Sequence, residues 1–409
     1  MKERLKIVRE FASLDDKETD AIGSLAGLKP EIADHMIENV IGAIPVPLAV
    51  ATNFMVNGKE YLVPMAIEEP SVVAAASNAA KMTRKFGGFR ASNTGPIMIG
   101  QIQLTGVSDP FRARLEILSR KDELLRKANE QDPKLVSVGG GAKDLEVKVI
   151  DTQRGKMVIS ELIVDCRDAM GANAVNTMAE SIAPNLEAIA RGKVFLRIIS
   201  NLATKRLARS TAVFDKELLG GEEVVQGILS AYAFADSDPY RCATHNKGIM
   251  NGIIAVALAL GQDTRALEAG AHSFAARSGA YKSLTTYEID REGNLVGTIE
   301  LPVAVGLIGG ASAVHPVAKA CVKILGVKSA VELAEVIASV GLAQNFAALR
   351  ALASEGIQRG HMKLHARNVA ASAGATDDLV DAVAQRMVDE RKIRFDRAQE
   401  LIREFSSTA

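Results

Sequence analysis

The spacing of hydrophobic positions changes several times between residues 96 and 200, and each change marks a predicted element. Short apolar or alternating runs predict four strands, at residues 96–104, 145–150, 156–164 and 193–200. Apolar residues at helical spacing predict a helix from Asp109-Pro110 to about Asn129 and a second helix that carries Val175, Met178, Ile182, Leu186 and Ile189. The resulting order, β-α-β-β-α-β, predicts a self-contained ferredoxin-like domain.

The segments on either side of this domain show mostly helical patterns. We predict helices at residues 71–85, 251–260, 263–276 and 318–353, a strand at 295–305, and a final amphipathic helix with Ala398, Leu401, Ile402 and Phe405 on one face. Thr376 is a predicted N-cap. The predicted fold class is α+β. A large helix-rich domain, residues 1–95 and 201–356, is interrupted by the small domain, residues 96–200, and a helical cap follows at residues 357–409.

Composition narrows the class of protein. The chain has 49 basic and 49 acidic side chains, so its formal charge is zero, and only 4% of its residues are aromatic. Nucleic-acid binding needs a basic surplus and stacking rings, so we expect no nucleic-acid partner. The three cysteines form no CxxC pair, which fits a reducing compartment. No signal core is seen, and the longest apolar stretch, residues 40–56, is broken by prolines. We therefore expect a soluble cytoplasmic protein without a membrane partner.

Several common nucleotide and metal motifs are absent from the sequence. It contains no GxGxxG, no P-loop and no HExxH, and the glycine run at 139–141 is typical of a flexible turn. His361 and His365 are four apart on a predicted helix, hence on one face. No third ligand accompanies them, so we predict no metal site. A histidine on the cap suits an acid that protonates a leaving group, the alternative being a surface or packing role.

Four short motifs contain candidate chemistry, and each has a structural alternative. Glu68-Glu69-Pro70-Ser71 precedes a helix, so a carboxyl there is either a proton donor or part of an acidic first turn. Lys247, in THNKG, could stabilise an oxyanion, form a Schiff base or be a solvated loop lysine. Asp263 lies between two predicted helices, where an N-cap is the structural alternative. DAMGAN, at 168–173, opens a helix whose amides can hold a phosphate, or it is a simple turn.

Seven stretches in register carry a family resemblance: ENVIG (38–42), EEPS (68–71), DAMGAN (168–173), SNLA (200–203), THNKGIMNG (244–252), GQD (261–263) and GHMKLHARN (360–368). Together they resemble the class II 3-hydroxy-3-methylglutaryl-CoA (HMG-CoA) reductases, the soluble prokaryotic type. The resemblance implies a large helical domain interrupted by a ferredoxin-like cofactor domain, with residues 357–409 as a C-terminal flap. It also implies active sites between two subunits, hence a homodimer or an assembly of dimers.

The reaction implied by the resemblance is the interconversion of HMG-CoA with mevalonate and CoA through two successive hydride transfers. By this resemblance Lys247 stabilises the oxyanion that forms on the thioester carbon. His361 protonates the leaving CoA thiolate, and Glu69 supplies the proton to the aldehyde. Asp263 is expected between Glu69 and Lys247, holding the lysine and tuning the carboxyl. Both metabolic directions, synthesis and breakdown of mevalonate, would use the same residues.

The resemblance also implies binding roles. Three positions match those that hold the hydroxymethylglutaryl group: Ser71, Arg241 and Asn251. Five match cofactor-binding positions: Asp168, Met170, Gly171, Asn173 and Asn201. Asp132 matches the acidic residue that takes the adenosine ribose hydroxyls in NAD-using members, where a carboxylate repels a 2′-phosphate. NAD(H) is therefore favoured. NADP(H) stays open, because Lys127 and Lys134 are close in sequence.

Two other functions are open at this level. An acyl-CoA hydrolase or transferase would use Cys242 as nucleophile and His245, three residues on, as base. A protein that only binds CoA would have no need of the four matched catalytic residues together. Their joint presence favours the reductase.

Overall fold

The computed structural model describes the backbone of residues 1–24, 27–354 and 357–407, and their side chains except those of 311, 357–364, 377–378 and 406–407. The helices within these ranges are α1 (Lys2–Ala12), α2 (Asp16–Gly23), α3 (Pro30–Asp34), α4 (Val72–Thr83), α5 (Pro110–Ser119), α6 (Lys121–Asn129), α7 (Pro133–Ser137), α8 (Ala172–Ala190), α9 (Lys216–Leu219), α10 (Glu222–Ser237), α11 (Pro239–Ala259), α12 (Thr264–Ala275), α13 (Gly310–Val314), α14 (Pro316–Leu325), α15 (Ala330–Ala353), α16 (Ile357–Ser372), α17 (Asp377–Asp389) and α18 (Phe395–Ser407). The strands are β1 (Leu48–Val56), β2 (Lys59–Ala66), β3 (Arg90–Asn93), β4 (Ile97–Thr105), β5 (Gly141–Thr152), β6 (Gly155–Asp165), β7 (Lys193–Ile199), β8 (Leu207–Phe214), β9 (Thr285–Ile289) and β10 (Leu295–Pro302).

The middle of the chain folds into an antiparallel sheet with strand order β5-β6-β4-β7, and helices α5, α6 and α8 pack against it. This is the arrangement that β-α-β-β-α-β connectivity produces in ferredoxin-like folds. A separate hydrophobic core lies between sheet and helices and includes Ile102, Ile117, Leu162 and Met178. The predicted α+β fold class, with all four predicted strands, is confirmed.

The helix predicted from Asp109 to Asn129 is two helices in the structure. Arg120 has φ −108° and ψ 18°, outside helical values, and it separates α5 from α6. The prediction failed because the apolar spacing continues across the break while the backbone does not. Asp109 stands at the N-cap position, but its side chain makes no capping hydrogen bond.

The flanking segments build a larger unit around helix α15. A four-stranded sheet, β3-β8-β10-β9, and the β1-β2 hairpin pack with α4, α10 and α11 around this helix. The predicted helix at 318–353 is again two helices, because Gly326, at φ 70°, ends α14 in the left-handed conformation that favours glycine. Helix α15 is long and apolar enough to cross a bilayer, yet 67% of its most apolar window is buried inside the fold. It is the central core helix of this unit.

Helices α16, α17 and α18 share a third, small core that includes Ala366, Val383, Met387 and Leu401. This cluster is separate from the two larger cores, as expected for a helical cap. Thr376 occupies the N-cap position of α17, as predicted, but without a side-chain capping bond.

Candidate active site

Glu69, Lys247 and Asn251 form one hydrogen-bonded cluster. Lys247 Nζ donates to Glu69 Oε2 at 3.0 Å, and Asn251 Nδ2 donates to the same oxygen at 3.3 Å. Lys247 and Asn251 are four residues apart on α11, so both project from one face of that helix. The side chains of Lys247 and Glu69 are 61% and 36% exposed, which leaves the ammonium open to a ligand.

The THNKG motif lies inside a helix, so the alternative of a lysine in a loop does not hold. Helix α11 begins at Pro239, with the Asp238 side chain accepting a hydrogen bond from the Arg241 backbone N–H, and runs without interruption to Ala259. The neighbouring Asn246 fixes another side of the helix, donating to the Lys282 carbonyl and accepting from the Leu284 N–H. The helix therefore holds Lys247 toward Glu69 from a rigid base.

His245 anchors the same helix in the core. Its Nε2 atom lies 2.8 Å from both the Thr285 and Ser283 hydroxyls, and the Asn345 amide is 3.2 Å away. Burial lowers the pKa of His245 to about 4, so the ring is neutral near pH 7. Cys242 is also buried, its thiol pKa is raised to about 11, and its sulfur accepts a contact from Asn246 rather than from His245. This geometry argues against a Cys-His nucleophile, because neither group meets solvent or is suitably ionised.

Two buried oxygens near this cluster have no hydrogen-bond partner among the described residues. Ser71 Oγ is one; this residue precedes α4 in a left-handed conformation, φ 75°. Gln344 Oε1 is the other, on a side chain that packs against Gly252 of α11. Buried polar atoms are normally paired, so unpaired ones beside an open cluster are typical of a ligand site. Sequence reasoning missed Gln344, because an isolated glutamine in an apolar helix has no motif.

Arg241 lies in the first turn of α11, half-buried, six residues before Lys247. Its guanidinium has no ion pair among the residues that the structure describes, which leaves its five donors free for an anionic ligand.

The second group of predicted residues lines a cavity of about 1920 Å³. Met170, Gly171 and Asn173 of the DAMGAN loop, Asp132 and Asp263 all border this cavity. Gly171 has φ 106°, and a Cβ atom there would lie 2.3 Å from Cys166 Sγ, so only glycine fits. Helix α8 begins at Ala172, which places its free N-terminal amides at the cavity wall.

Asp168 and Asn201 do not line this cavity. Asp168 Oδ1 accepts a hydrogen bond from the Ala330 N–H at 2.8 Å, so this carboxylate caps the N-terminus of α15. Asn201 is exposed in the loop after β7, with its carbonyl against Gly270. Their predicted direct contact with the cofactor has no support within a single chain. Both residues belong to loops whose sequences match the family motifs, and the prediction was based on that match.

Among the described residues of one chain, Asp263 makes no hydrogen bond or ion pair with Glu69 or Lys247. Its Oδ1 atom accepts from the backbone N–H groups of Arg265 and Ala266, capping α12, and it pairs with the Arg265 guanidinium at 3.2 Å. The structural alternative, an N-cap, is therefore correct for this chain taken alone. The physical reason is that the free N-terminal amides of α12 hold this carboxylate.

The structure describes the side chain of only one of the two C-terminal histidines. His361 is in helix α16, but its side chain lies outside the described residues, whereas His365 is exposed on the same helix. No group of three His, Cys, Asp or Glu side chains suited to a metal occurs in the described part of the chain.

Comparisons with known proteins identify the family of the chain. The sequence profile described as hydroxymethylglutaryl-coenzyme A reductase matches residues 1–366. A 3-hydroxy-3-methylglutaryl-coenzyme A reductase of Archaeoglobus fulgidus is 64% identical over 407 residues, which is 100% of this chain and 93% of the relative. A probable reductase of the same name from Borreliella burgdorferi is 37% identical over 346 residues, covering 82% of this chain and 77% of the relative.

Solved structures show the same likeness. The 3-hydroxy-3-methylglutaryl-coenzyme A reductase of Streptococcus pneumoniae superposes with a TM-score of 0.84 at 41% identity, covering 99% of this chain and 97% of that one. A second structure, titled as the class II enzyme of that organism bound to NADPH in open conformations, has the same TM-score and identity and covers 99% of both chains. The predicted family is confirmed. The chain belongs to the class II HMG-CoA reductases, oxidoreductases that use a nicotinamide cofactor to interconvert HMG-CoA with mevalonate and CoA by two successive hydride transfers.

Proposed function

We propose that the cluster of Glu69, Lys247 and Asn251 is where the acyl carbon of HMG-CoA is reduced. The observation that carries this proposal is the 3.0 Å contact of Lys247 with Glu69, a cation and a proton source at one place. When bound, the nicotinamide cofactor supplies hydride. Lys247 then stabilises the negative charge that develops on the substrate oxygen, because a fixed ammonium interacts more strongly with an oxyanion than with a neutral carbonyl.

Proton transfers complete both steps. Glu69 in its protonated form gives its proton to the oxygen of the aldehyde as it is reduced to the alcohol, and regains a proton from solvent afterwards, while Lys247 beside it keeps that oxygen in place. His361, on the first turns of α16, protonates the departing CoA thiolate from the C-terminal flap. Asn251, which already bonds Glu69, orients this carboxyl and the substrate hydroxyl.

Three groups suit the hydroxymethylglutaryl moiety. Arg241 binds the free carboxylate of the hydroxymethylglutaryl group through two parallel N–H donors. Ser71 Oγ and Gln344 Oε1 are buried and unpaired within the described residues, and we assign both to hydrogen bonds with the bound substrate. Gln344 enters this set only from the structure.

Asp263 completes the site from a second subunit in our proposal. Within one chain it has no contact with Glu69 or Lys247, whereas the resemblance places all three together at a site between subunits. A homodimer, or an assembly of dimers, reconciles the two observations. Exposed apolar side chains at Ile41 and Ile44, in and beside the ENVIG stretch, support an intersubunit contact there.

The cofactor is assigned to the cavity beside the DAMGAN loop. Gly171 allows close approach of a ligand, and the N-terminus of α8 suits a pyrophosphate. Asp132 borders the same cavity, and its Oδ1 accepts from the Leu135 N–H; in this assignment its carboxylate would take the hydroxyls of the adenosine ribose. We propose NAD(H) as the preferred cofactor for this reason, although NADPH is bound in the Streptococcus pneumoniae structure.

The proposed division of the chain rests on its hydrophobic cores. We propose a large domain of residues 1–95 and 201–356, a cofactor domain of residues 96–200 and a flap of residues 357–409, each with its own hydrophobic cluster. We also propose that the protein is cytoplasmic and needs no membrane, because its apolar helix α15 is used in the core.

The test is the absorbance of the reduced nicotinamide, which reports hydride transfer directly. Purified protein is mixed with HMG-CoA and NADH or NADPH, and in reverse with mevalonate, CoA and NAD or NADP. We expect two reduced cofactors consumed for each HMG-CoA, with NADH the better one. A stoichiometry of one, or thioester hydrolysis without oxidation, would refute the mechanism.

A further inference from the structure

Arg206 is a charged side chain buried inside the protein, only 4% exposed. It lies between β7 and β8, where the chain returns from the cofactor sheet to the larger unit. Burial lowers the pKa of its guanidinium, partly offset by the charges of Asp165 and Asp168, but neither carboxylate nor any other among the described residues lies within ion-pair distance of it. Burying an unpaired charge is costly, so the position needs a reason beyond packing.

The guanidinium bonds three backbone carbonyls from two segments. It donates to the Ala169 and Met170 carbonyls at 3.1 and 3.0 Å, within the DAMGAN loop, and to the Val305 carbonyl of the segment after β10. Because peptide units are planar and trans, fixing the Met170 carbonyl turns the Gly171 N–H to the opposite side. One buried cation therefore sets the orientation of the loop backbone.

The two segments also meet directly. The Asp168 carbonyl accepts from the Leu307 and Ile308 N–H groups, at 2.7 and 3.2 Å. At Gly306 a Cβ atom would lie 2.4 Å from the Met170 nitrogen, so the backbones pack without an intervening side chain. Arg206 lies at this contact and donates hydrogen bonds to both segments.

Gln262 holds the same segment from the other side. Its Nε2 donates to the Gly306 carbonyl and its Oε1 accepts from the Gly306 N–H, both at 2.9 Å. Gln262 directly precedes Asp263, the cap of α12. The chain of contacts thus runs from Asp263 through Gly306 to the DAMGAN loop and Arg206, linking the large unit to the cofactor cavity.

We propose that Arg206 and Gln262 are positioning residues for the nicotinamide cofactor: together they hold the DAMGAN loop in its ligand-binding shape against the larger unit. The proposal rests on the assignment of the cofactor to that loop. Neither side chain touches the cofactor in this account. Without Arg206, three carbonyls lose their donor and the backbone amides of the loop no longer share one orientation. The loop then samples more conformations, and the cofactor binds to it more weakly.

The test measures cofactor and CoA binding separately, without turnover. Arg206→Met, Arg206→Lys and Gln262→Met are compared with Arg209→Met, a matched control whose arginine is exposed and pairs with Glu300. The Kd of NADH is read from nicotinamide fluorescence and that of CoA by calorimetry, with melting temperatures recorded. We expect NADH binding at least about tenfold weaker in Arg206→Met and Gln262→Met, intermediate in Arg206→Lys, and unchanged in the control, with CoA affinity retained.

The outcomes separate the alternatives. Unchanged NADH affinity in folded Arg206→Met, or equal losses for NADH and CoA, would overturn the positioning role. If Arg206→Met does not fold, Arg206→Lys and Gln262→Met decide, and wild-type NADH affinity in both would overturn it. Asn173→Ala tests the cofactor site itself. If it alone weakens NADH binding, only the positioning role fails; if it has no effect, the assigned cofactor site fails.

Discussion

Lys247 and Glu69, separated by 178 residues in the chain, are joined by a 3.0 Å hydrogen bond between ammonium and carboxylate. The acceptor is Oε2, which also accepts from Asn251, so one oxygen of Glu69 accepts two hydrogen bonds. In our proposal the same ammonium also stabilises the negative charge that develops on the substrate oxygen. A cation already held in place before the reaction is what electrostatic catalysis requires.

Replacing Glu69 by Gln should abolish the proton-donor role while keeping an oxygen for Asn251. We expect the turnover of mevaldehyde with NADH to fall about 10²- to 10⁴-fold, the usual range for loss of a general acid. Steady-state rates with mevaldehyde and with HMG-CoA provide the measurement. Glu68→Gln is the matched control, since Glu68 is its exposed neighbour. Equal losses in both variants would show that Glu69 has no special role.

Replacing Asp132 by Asn should shift the cofactor preference toward NADP(H). Asn keeps the side-chain oxygen that caps the Leu135 N–H, but removes the charge that repels a 2′-phosphate. We expect the ratio of kcat/KM for NADPH over NADH to rise about tenfold, roughly the effect of one exposed charge contact.

Asp132→Ala is the companion variant, because it removes both charge and cap. It should show the same cofactor shift together with a loss of about 1 kcal/mol in unfolding free energy. An unchanged cofactor ratio in both variants would remove the assignment of Asp132.

All three cysteines should resist alkylation in the native protein. Burial raises the thiol pKa of Cys166 and Cys321 to about 12 and that of Cys242 to about 11, so thiolate is scarce at neutral pH. We expect iodoacetamide at pH 7.5 to label them only after unfolding, as followed by mass spectrometry, and Cys242→Ser to keep its reductase activity. Rapid labelling of Cys242 with loss of turnover would instead favour the thiol mechanism.

The buried neutral His245 should make stability fall as the pH is lowered. Its pKa is about 4 in the folded protein against 6.5 as the ordinary value, so between these values the unfolded chain binds the extra proton. Stability is therefore full above about pH 6.5 and decreases down to pH 4, with a loss of about 2 kcal/mol by pH 5. Urea unfolding at pH 7.5 and 5 measures this.

His245→Gln is the control for that window, because Gln cannot titrate yet can still bond Ser283 or Thr285. Burial also lowers the pKa of His315, which contributes equally to both proteins and cancels in the comparison. We expect a smaller decrease in the variant. An identical decrease would mean that another group is responsible.

Local pattern was enough to predict the sheet β5-β6-β4-β7, but not every helix boundary. Strands such as β6 are apolar runs bounded by turns, and α8 presents Val175, Met178 and Ile182 at helical spacing, so each signal is contained within the element. The break at Arg120 and the turn at Gly326 interrupt helices whose apolar spacing continues. Backbone angles there depend on tertiary packing, which sequence periodicity does not contain.

Sequence motifs were enough to select the candidate site residues, but not to predict which of them contact one another. A loop was one alternative for Lys247, but packing of His245 and Asn246 against the core keeps this segment helical. Asp263 is the opposite case. The role that the resemblance implies for it requires Glu69 and Lys247 beside it, and within one chain they are not. Arg206 and Gln344 carried no sequence signal at all, because burial and unpaired atoms become visible only in the fold.

The most direct test of the catalytic account is the rate of NADH oxidation by Lys247→Met with saturating HMG-CoA, compared with Lys81→Met, which alters an exposed lysine of α4. Methionine keeps the length of the side chain and removes the charge. We predict that kcat falls about 10²- to 10³-fold, as when a preorganised oxyanion contact is removed, while Lys81→Met turns over normally. Turnover of HMG-CoA by Lys247→Met at the wild-type rate would contradict the account.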